Sequence, residues 1–225
     1  MIEIDGRPVR LSVATPTRDA RLHVAHAECV RAMEIRCRAS GIEFARAHVY
    51  GYAIDRMRDD LVSVAMQWEA THLLMIDDDI ALPQENAIDL LLSAMASTKA
   101  DVVAAVCVSK PPSIDHTGKP SREPPFASQL LDAEGRRHTI DVAASHGQTI
   151  RPPEGMALLA GCGVMLIDTR AFGRFDAPRF RFADGLSEDW WFSREVQRLG
   201  GTAVLEPRVA TTHYGVTGWT WTPSQ

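Results

Sequence analysis

Between residues 9 and 108 the chain alternates short strand-like runs with longer segments of helical period, and this alternation constrains the fold more than any other feature. Residues 9–15 (VRLSVAT) read as a strand closed by Pro16. Residues 21–39 follow, with Leu22, Val30, Met33 and Ile35 at helix-compatible positions and Gly41 as the stop. Residues 43–50 read as a second strand, and residues 53–68 place Ile54, Met57, Leu61, Val64 and Trp68 on one helical stripe. The run 72–76 (HLLMI) has the character of a buried strand, 83–96 that of a helix with Pro83 in its first turn, and 101–108 that of a fourth strand. Strands separated by helices pair side by side in parallel, which predicts an α/β chain with a mostly parallel central sheet and helices on both faces. Ligands of such sheets bind at the carboxyl ends of the strands, so the segments after Ile76 and after Val108 become the candidate site.

Beyond residue 108 the pattern changes. Residues 109–154 are rich in proline and carry only short alternating pieces, at 126–131 and 139–142, which predicts a loop-rich insertion with one antiparallel hairpin. Residues 156–167 return to an apolar run interrupted by Gly161, Cys162 and Gly163. Residues 188–199 read as a helix stopped by Gly200 and Gly201, and 202–205 as a last strand. The tail around His213 and Tyr214 shows no periodicity.

The length of 225 residues suits one domain. A net charge of -5 argues against a surface coated for nucleic acid, although a local basic patch is compatible with it. Cys29, Cys37, Cys107 and Cys162 show no C-x-x-C spacing and read as reduced thiols in or near the core, which fits a cytoplasmic setting. The expectation is a chain with no signal peptide and no membrane-spanning segment.

The strongest chemical signal is Asp77-Asp78-Asp79 directly after the buried strand. Adjacent carboxylates repel unless something neutralises them, and a hard divalent cation shared with substrate phosphates does so. In an extended chain Asp77 and Asp79 point to the same side. Alternatively, the three form a solvated turn that caps the next helix. Ser187-Glu188-Asp189 stands at a helix start, where the dipole favours acidic groups and capping competes with catalysis. Neutral imidazole, as at His213, suits manganese-like ions, and the forks of Arg56 and Arg58 suit phosphate, unless they form a solvated face.

In order and spacing these residues resemble glycosyltransferases of the GT-A fold, the family 2-like group in particular. Thr71 to Ile80 looks like that group's strand and D-x-D motif, and Arg56-Met57-Arg58-Asp59 resembles the arginine-bearing helix start upstream. Leu159 to Ile167 is similar to the glycine-bearing strand before the acceptor region, and Ser187 to Phe192 with Gly200 to the E-D motif and its helix. The resemblance implies a GT-A-type, Rossmann-like sheet with a loop-rich acceptor-side insertion. A single domain would divide into a nucleotide-sugar-binding part at 1–108 and an acceptor-binding part with the tail at 109–225. It implies a metal site of Asp77, Asp79 and His213 holding Mn²⁺ or Mg²⁺, and donor contacts from Thr15, Arg56, Arg58, Asp77, Asp78, Gly161 and Gly163. Asp189, with Glu188 beside it, would carry the catalysis.

The implied reaction moves a sugar from a nucleoside-diphosphate donor to a hydroxyl with inversion at the anomeric carbon. The acceptor stays open among glycan, protein and a hydroxylated DNA base. For the DNA case the support is Arg170, Arg174, Arg179 and Arg181 near Phe172, Phe175, Phe180 and Phe182. Two rival readings stand beside this one. A nucleotidyltransferase would share the acidic strand end but use an N-terminal glycine-rich loop, and Val13 to Ala20 holds no glycine. A binding module without turnover would keep the fold alone.

Overall fold

The computed structural model describes residues 2–108, 127–214 and 219–222. A hairpin of β1 (Glu3–Ile4) and β2 (Arg7–Pro8) leads into β3 (Arg10–Thr17), α1 (Val24–Ala39), β4 (Glu43–Tyr50), α2 (Ile54–Gln67), β5 (His72–Ile76), β6 (Ile80–Ala81), α3 (Ala87–Thr98) and β7 (Val102–Ala105). Then come β8 (Gln129–Leu131), β9 (Arg137–His138), β10 (Ala157–Leu159), β11 (Val164–Asp168), α4 (Glu188–Arg198), β12 (Ala203–Glu206), β13 (Thr211–His213) and β14 (Trp219–Trp221).

The central sheet has six strands in the order β12-β7-β11-β5-β3-β4. Pairs β3–β4, β3–β5 and β7–β12 are parallel, whereas β11 runs antiparallel to both of its neighbours. Side chains alternate across the pleat, so successive residues of one buried strand feed two cores. Leu74 and Ile76 of β5 join Val30 and Met33 of α1 and Leu91 and Met95 of α3 on one face. Leu73 and Met75 join Leu61 and Val62 of α2 and Phe192 and Val196 of α4 on the other. The doubly covered sheet is the one the alternation predicts.

Local corrections have physical reasons. The buried face of α1 is His26, Val30, Met33 and Cys37, and Ile35 is 62% exposed. In α2, Val64 lies outside and Arg58 lies inside, beside Met57, Leu61, Val62 and Ala65. The first strand runs through Pro16, which costs no ladder bond on the β5 side because that pairing ends at Ala14. α3 starts at Ala87, not at Pro83, because Ile80–Ala81 first pairs as a strand with β13.

The run 156–167 is two strands in different sheets: β10 pairs with β8 and β11 enters the central sheet, with Gly161 to Gly163 as the crossing. The hairpin expected in 109–154 is β8–β9, while residues 109–126 of that insertion lie outside the described residues. The tail, which shows no periodicity, forms β13 between β14 and β6. All four cysteines are free. No helix among the described residues is long and apolar enough to cross a membrane.

Candidate active site

A cleft of about 850 Å³ opens at the carboxyl edge of the sheet. Its walls come from Pro16, Arg18 and Asp19 at and after the end of β3, Asp77 to Ile80 after β5, Cys107 after β7, and Gly161 and Gly163 ahead of the reversed β11. Arg58 from α2, Asp189 from α4 and His213 from β13 complete it. The acidic turn is built by backbone: Ile80 N donates to Asp77 O at 3.0 Å, and Asp77 N to Gly163 O at 3.2 Å.

Arg58 is the organising cation. It is buried, and its Nη2 lies 3.0 Å from Asp77 Oδ1 while its Nε lies 3.3 Å from Glu188 Oε1. Glu188 is 7% exposed at its side chain, and burial pushes its carboxyl up to about 7, with Arg58 pulling down and Asp189 and Asp77 repelling. Asp77 is likewise pushed up to about 6 by desolvation, against the pull of Arg58. Although 31% of the Asp77 side chain faces the cleft, the surrounding walls and the charges of Asp79 and Asp189 keep the upward direction.

Asp189 is held by three donors. Cys162 N reaches Oδ2 at 3.0 Å, Trp190 N reaches Oδ1 at 2.8 Å, and the Ser187 hydroxyl donates to the same Oδ1. Ser187 makes no side-chain cap bond to α4, so the capping alternative leaves its hydroxyl unexplained and the contact to Asp189 explains it. A carboxylate accepts about four hydrogen bonds, so a lone pair remains for a ligand hydroxyl in the cleft.

On the other side of the acidic turn, His213 Nε2 lies 3.3 Å from Asp79 Oδ1. His213 Nδ1 contacts the Val108 carbonyl at 2.8 Å, and a carbonyl only accepts, so Nδ1 carries a proton and Nε2 is the nitrogen turned to Asp79. A carboxylate oxygen and an imidazole nitrogen at this spacing, among carboxylates that repel one another, are a donor set that fits Mn²⁺ or Mg²⁺ completed by phosphate oxygens. Among the described residues no group of three ligand-type side chains forms a closed metal cluster.

The other expected residues divide. Asp77, Asp78, Asp79, Gly161, Gly163, Arg58, Asp189 and His213 all line the cleft. Glu188 lies behind Arg58. Thr15 is fully buried, with its hydroxyl on His26 Nε2 at 3.2 Å, and is not among the lining residues. Arg56 is exposed on α2 and does not line the cleft either. Gly161 and Gly163 have a packing reason for lacking a side chain: an added Cβ would stand 2.8 Å from Ala127 Cβ and 2.7 Å from Ile80 Cδ1, respectively.

Sequence reasoning missed Arg18, Asp19 and Tyr52 as wall residues. Their position just past the carboxyl ends of β3 and β4 was the available signal. The basic and aromatic stretch at 170–182 is exposed at Arg170, Arg174 and Phe182 but does not present its aromatic rings as one face. Arg170 pairs with Asp168 and Asp5, Arg174 pairs with Asp101, and Phe172 and Phe180 are buried.

No family model and no curated protein matches the sequence. Among solved structures, A197 from STIV superposes with a TM-score of 0.56 at 11% identity, over 92% of this chain and 86% of that one. A glycosyltransferase involved in the glycosylation of the major capsid of PBCV-1 gives 0.45 at 10% identity, over 88% and 83%. A mutant Drosophila galactosyltransferase 7 complexed with manganese, UDP-Gal and xylobiose gives 0.41 at 14% identity, over 88% and 65%. The first of these likenesses bears on the fold, and the other two are too distant to carry weight. With its six-stranded order, its single reversed strand and the acidic turn at the carboxyl edge, the chain has the mostly parallel, doubly covered sheet that the GT-A resemblance implies, and it shares this fold with A197 from STIV.

Proposed function

We propose that the protein transfers a glycosyl group from a nucleoside-diphosphate sugar to an acceptor hydroxyl, with inversion and with a divalent cation, Mn²⁺ or Mg²⁺. One observation carries the reading: Asp79 with His213, and Asp189 anchored by three donors, face one cleft at the ligand-binding edge of the sheet. In this reading Asp79 and His213 hold the cation, with Asp77 beside them. When bound, the cation supplies charge for the departing diphosphate.

The chain's own residues do the rest. Asp78, Arg18, Asp19 and Tyr52 line the side of the cleft nearest β3 and β4, where a nucleoside fits. Arg58 is already engaged by two carboxylates, so its role is to hold Asp77 and Glu188 in place rather than to bind phosphate. Arg56, exposed and outside the cleft, has no donor role in this reading. Asp189 takes the proton from the acceptor hydroxyl as it attacks, and its backbone and serine donors fix the direction of its open lone pair. One carboxylate on the acceptor side suffices for a single displacement, which inverts the anomeric carbon. The four free cysteines fit the cytoplasmic setting proposed with it.

The test is a thermal-shift panel of nucleotide sugars with and without Mn²⁺. A ligand that binds only the folded state raises the melting temperature, by about 2.7 kcal/mol of stability at a hundredfold excess over its Kd. At least one nucleotide sugar is expected to stabilise the protein in a manner abolished by chelator and by Asp79→Ala. Stabilisation that is indifferent to both would overturn the metal-dependent reading.

A further inference from the structure

The acidic turn does not stand on β5 alone. The start of α1 runs beside it, and residues three apart on α1 each meet the backbone of every second residue of the turn and β6. His23 N donates to Asp78 O at 3.0 Å, His26 Nδ1 lies 2.9 Å from Ile80 O, and Leu82 N donates to Cys29 Sγ at 3.2 Å. The tail closes the same frame. Tyr214 N donates to Asp79 O at 2.7 Å, and the Tyr214 ring stacks on His23 with centroids 4.0 Å apart.

His26 occupies the middle of this row and is fully buried. The Ile80 carbonyl can only accept, so His26 Nδ1 carries the proton. Burial disfavours the charged ring, and in the neutral ring Nε2 then accepts from the Thr15 hydroxyl at 3.2 Å. Thr15, expected at the donor, instead fixes the tautomer of a histidine behind the site. The carbonyl that His26 pins belongs to Ile80. Ile80 follows Asp79 directly and is the register partner of His213 in the β6–β13 pair. The position of that single peptide therefore sets both the Asp79 carboxylate and the strand that presents His213, whose groups meet at 3.3 Å.

We propose that His26 is a positioning residue for the divalent-cation site: oriented by Thr15, it holds the Ile80 peptide and so fixes Asp79 against His213. This rests on the cation reading given above. His26 touches neither substrate nor cation, and its effect runs through the backbone of the acidic turn. Residues that orient metal ligands from behind typically change affinity by about 10–100-fold when removed.

The experiment is a Mn²⁺ titration of the full chain, followed by the electron paramagnetic resonance signal of free Mn²⁺, for wild type, Asp79→Ala, His26→Ala, His26→Asn and His26→Leu. Asparagine places an N–H donor where Nδ1 stands. Wild type is expected to bind and Asp79→Ala to lose binding. His26→Ala should weaken binding by about 10–100-fold, and His26→Asn should recover most of the loss, whereas His26→Leu, which fills at least as much space with no donor, should not. Recovery by a donor rather than by volume separates positioning from packing. Should His26→Ala fail to fold, Thr15→Val, which removes only the hydroxyl that orients the ring, carries the test and is expected to weaken Mn²⁺ binding in a folded chain. If wild type binds Mn²⁺ and the substitutions at His26 or Thr15 do not change the affinity, the role assigned to His26 falls while the cation site stands. A wild type that binds no Mn²⁺ overturns the cation reading and this inference with it.

Discussion

Replacing Arg58 by methionine keeps the aliphatic stem of the side chain and removes the guanidinium that faces both Asp77 and Glu188. Breaking a buried pair by deleting one partner costs about 3–5 kcal/mol, because the remaining charge is left desolvated. For a chain of 225 residues each kcal/mol moves the melting temperature by about 2–4 °C, so a fall of roughly 6–20 °C is expected at neutral to alkaline pH. The sign of the pH dependence follows from Glu188. Its folded carboxyl is pushed up to about 7, above its ordinary 4.5, so the folded state binds more protons between those values and stability falls as pH rises through them. Without Arg58 the carboxyl rises further, and the decline continues above pH 7 at up to about 1.4 kcal/mol per pH unit. Below pH 6 the acid is protonated in both proteins and the difference narrows. Urea unfolding in the presence of chelator at pH 5.5 and pH 8.5 measures this, together with Arg58→Met/Glu188→Gln. The double variant should regain at least about 1 kcal/mol at pH 8.5. An equal loss at both pH values, or no recovery in the double variant, would refute the assignment of Arg58 as counter-charge to Glu188.

Asp189→Asn removes the proposed base and also puts an amide where one oxygen accepts from Cys162 N or Trp190 N, so turnover is expected to fall by a factor on the order of 10²–10⁴ with donor binding retained. NMR of the product anomer checks inversion, and a retained configuration would end the single-displacement mechanism. Gly161→Ala brings a Cβ to 2.9 Å from the Ala127 backbone oxygen, which has little room to give, and should cost about 1–3 kcal/mol in thermal unfolding; an unchanged melting curve would contradict the packing. His72 is fully buried at the opposite edge of the sheet, and burial pushes it down to about 4 from 6.5. The unfolded chain then binds the extra proton, so this contribution is complete above pH 6.5 and is lost as pH falls toward 4. Relative to His72→Gln, the wild type should lose up to about 3 kcal/mol across that window in urea titrations, and parallel curves would refute it.

The doubly covered sheet was legible because its signal is local. Buried strands such as HLLMI need apolar residues on both faces, and helices need a stripe, so period and length name each element without knowledge of its neighbours. Direction is not local. The run 156–167 reads the same whether β11 is parallel or reversed, and only the long-range pairing of Val164 with Ile76 settles it. The candidate site was legible to the same degree. Asp77 to Asp79 and Asp189 announce themselves by charge next to apolar strands and helix starts, and the structure brings them to one cleft.

The supporting residues were hidden by what makes them work. From the helix alone Arg58 reads either as a phosphate fork or as part of a solvated face, because its carboxylate partners are distant in sequence. Its neighbours at one, three, four and seven positions along α2 are Met57, Leu61, Val62 and Ala65, all buried, and that spacing places position 58 inside the stripe. A charged residue in an apolar stripe demands an opposite charge in the core, and Glu188 at the buried start of α4 supplies it. Likewise His26 and Cys29 on α1 aim polar side chains inward, but their partners are main-chain groups of Ile80 and Leu82, which no side-chain pattern can name. Thr15, beside them, turns its hydroxyl to His26. Arg58 and Thr15 point to the same requirement: a cleft this rich in carboxylates needs residues that hold those carboxylates and their backbone in place.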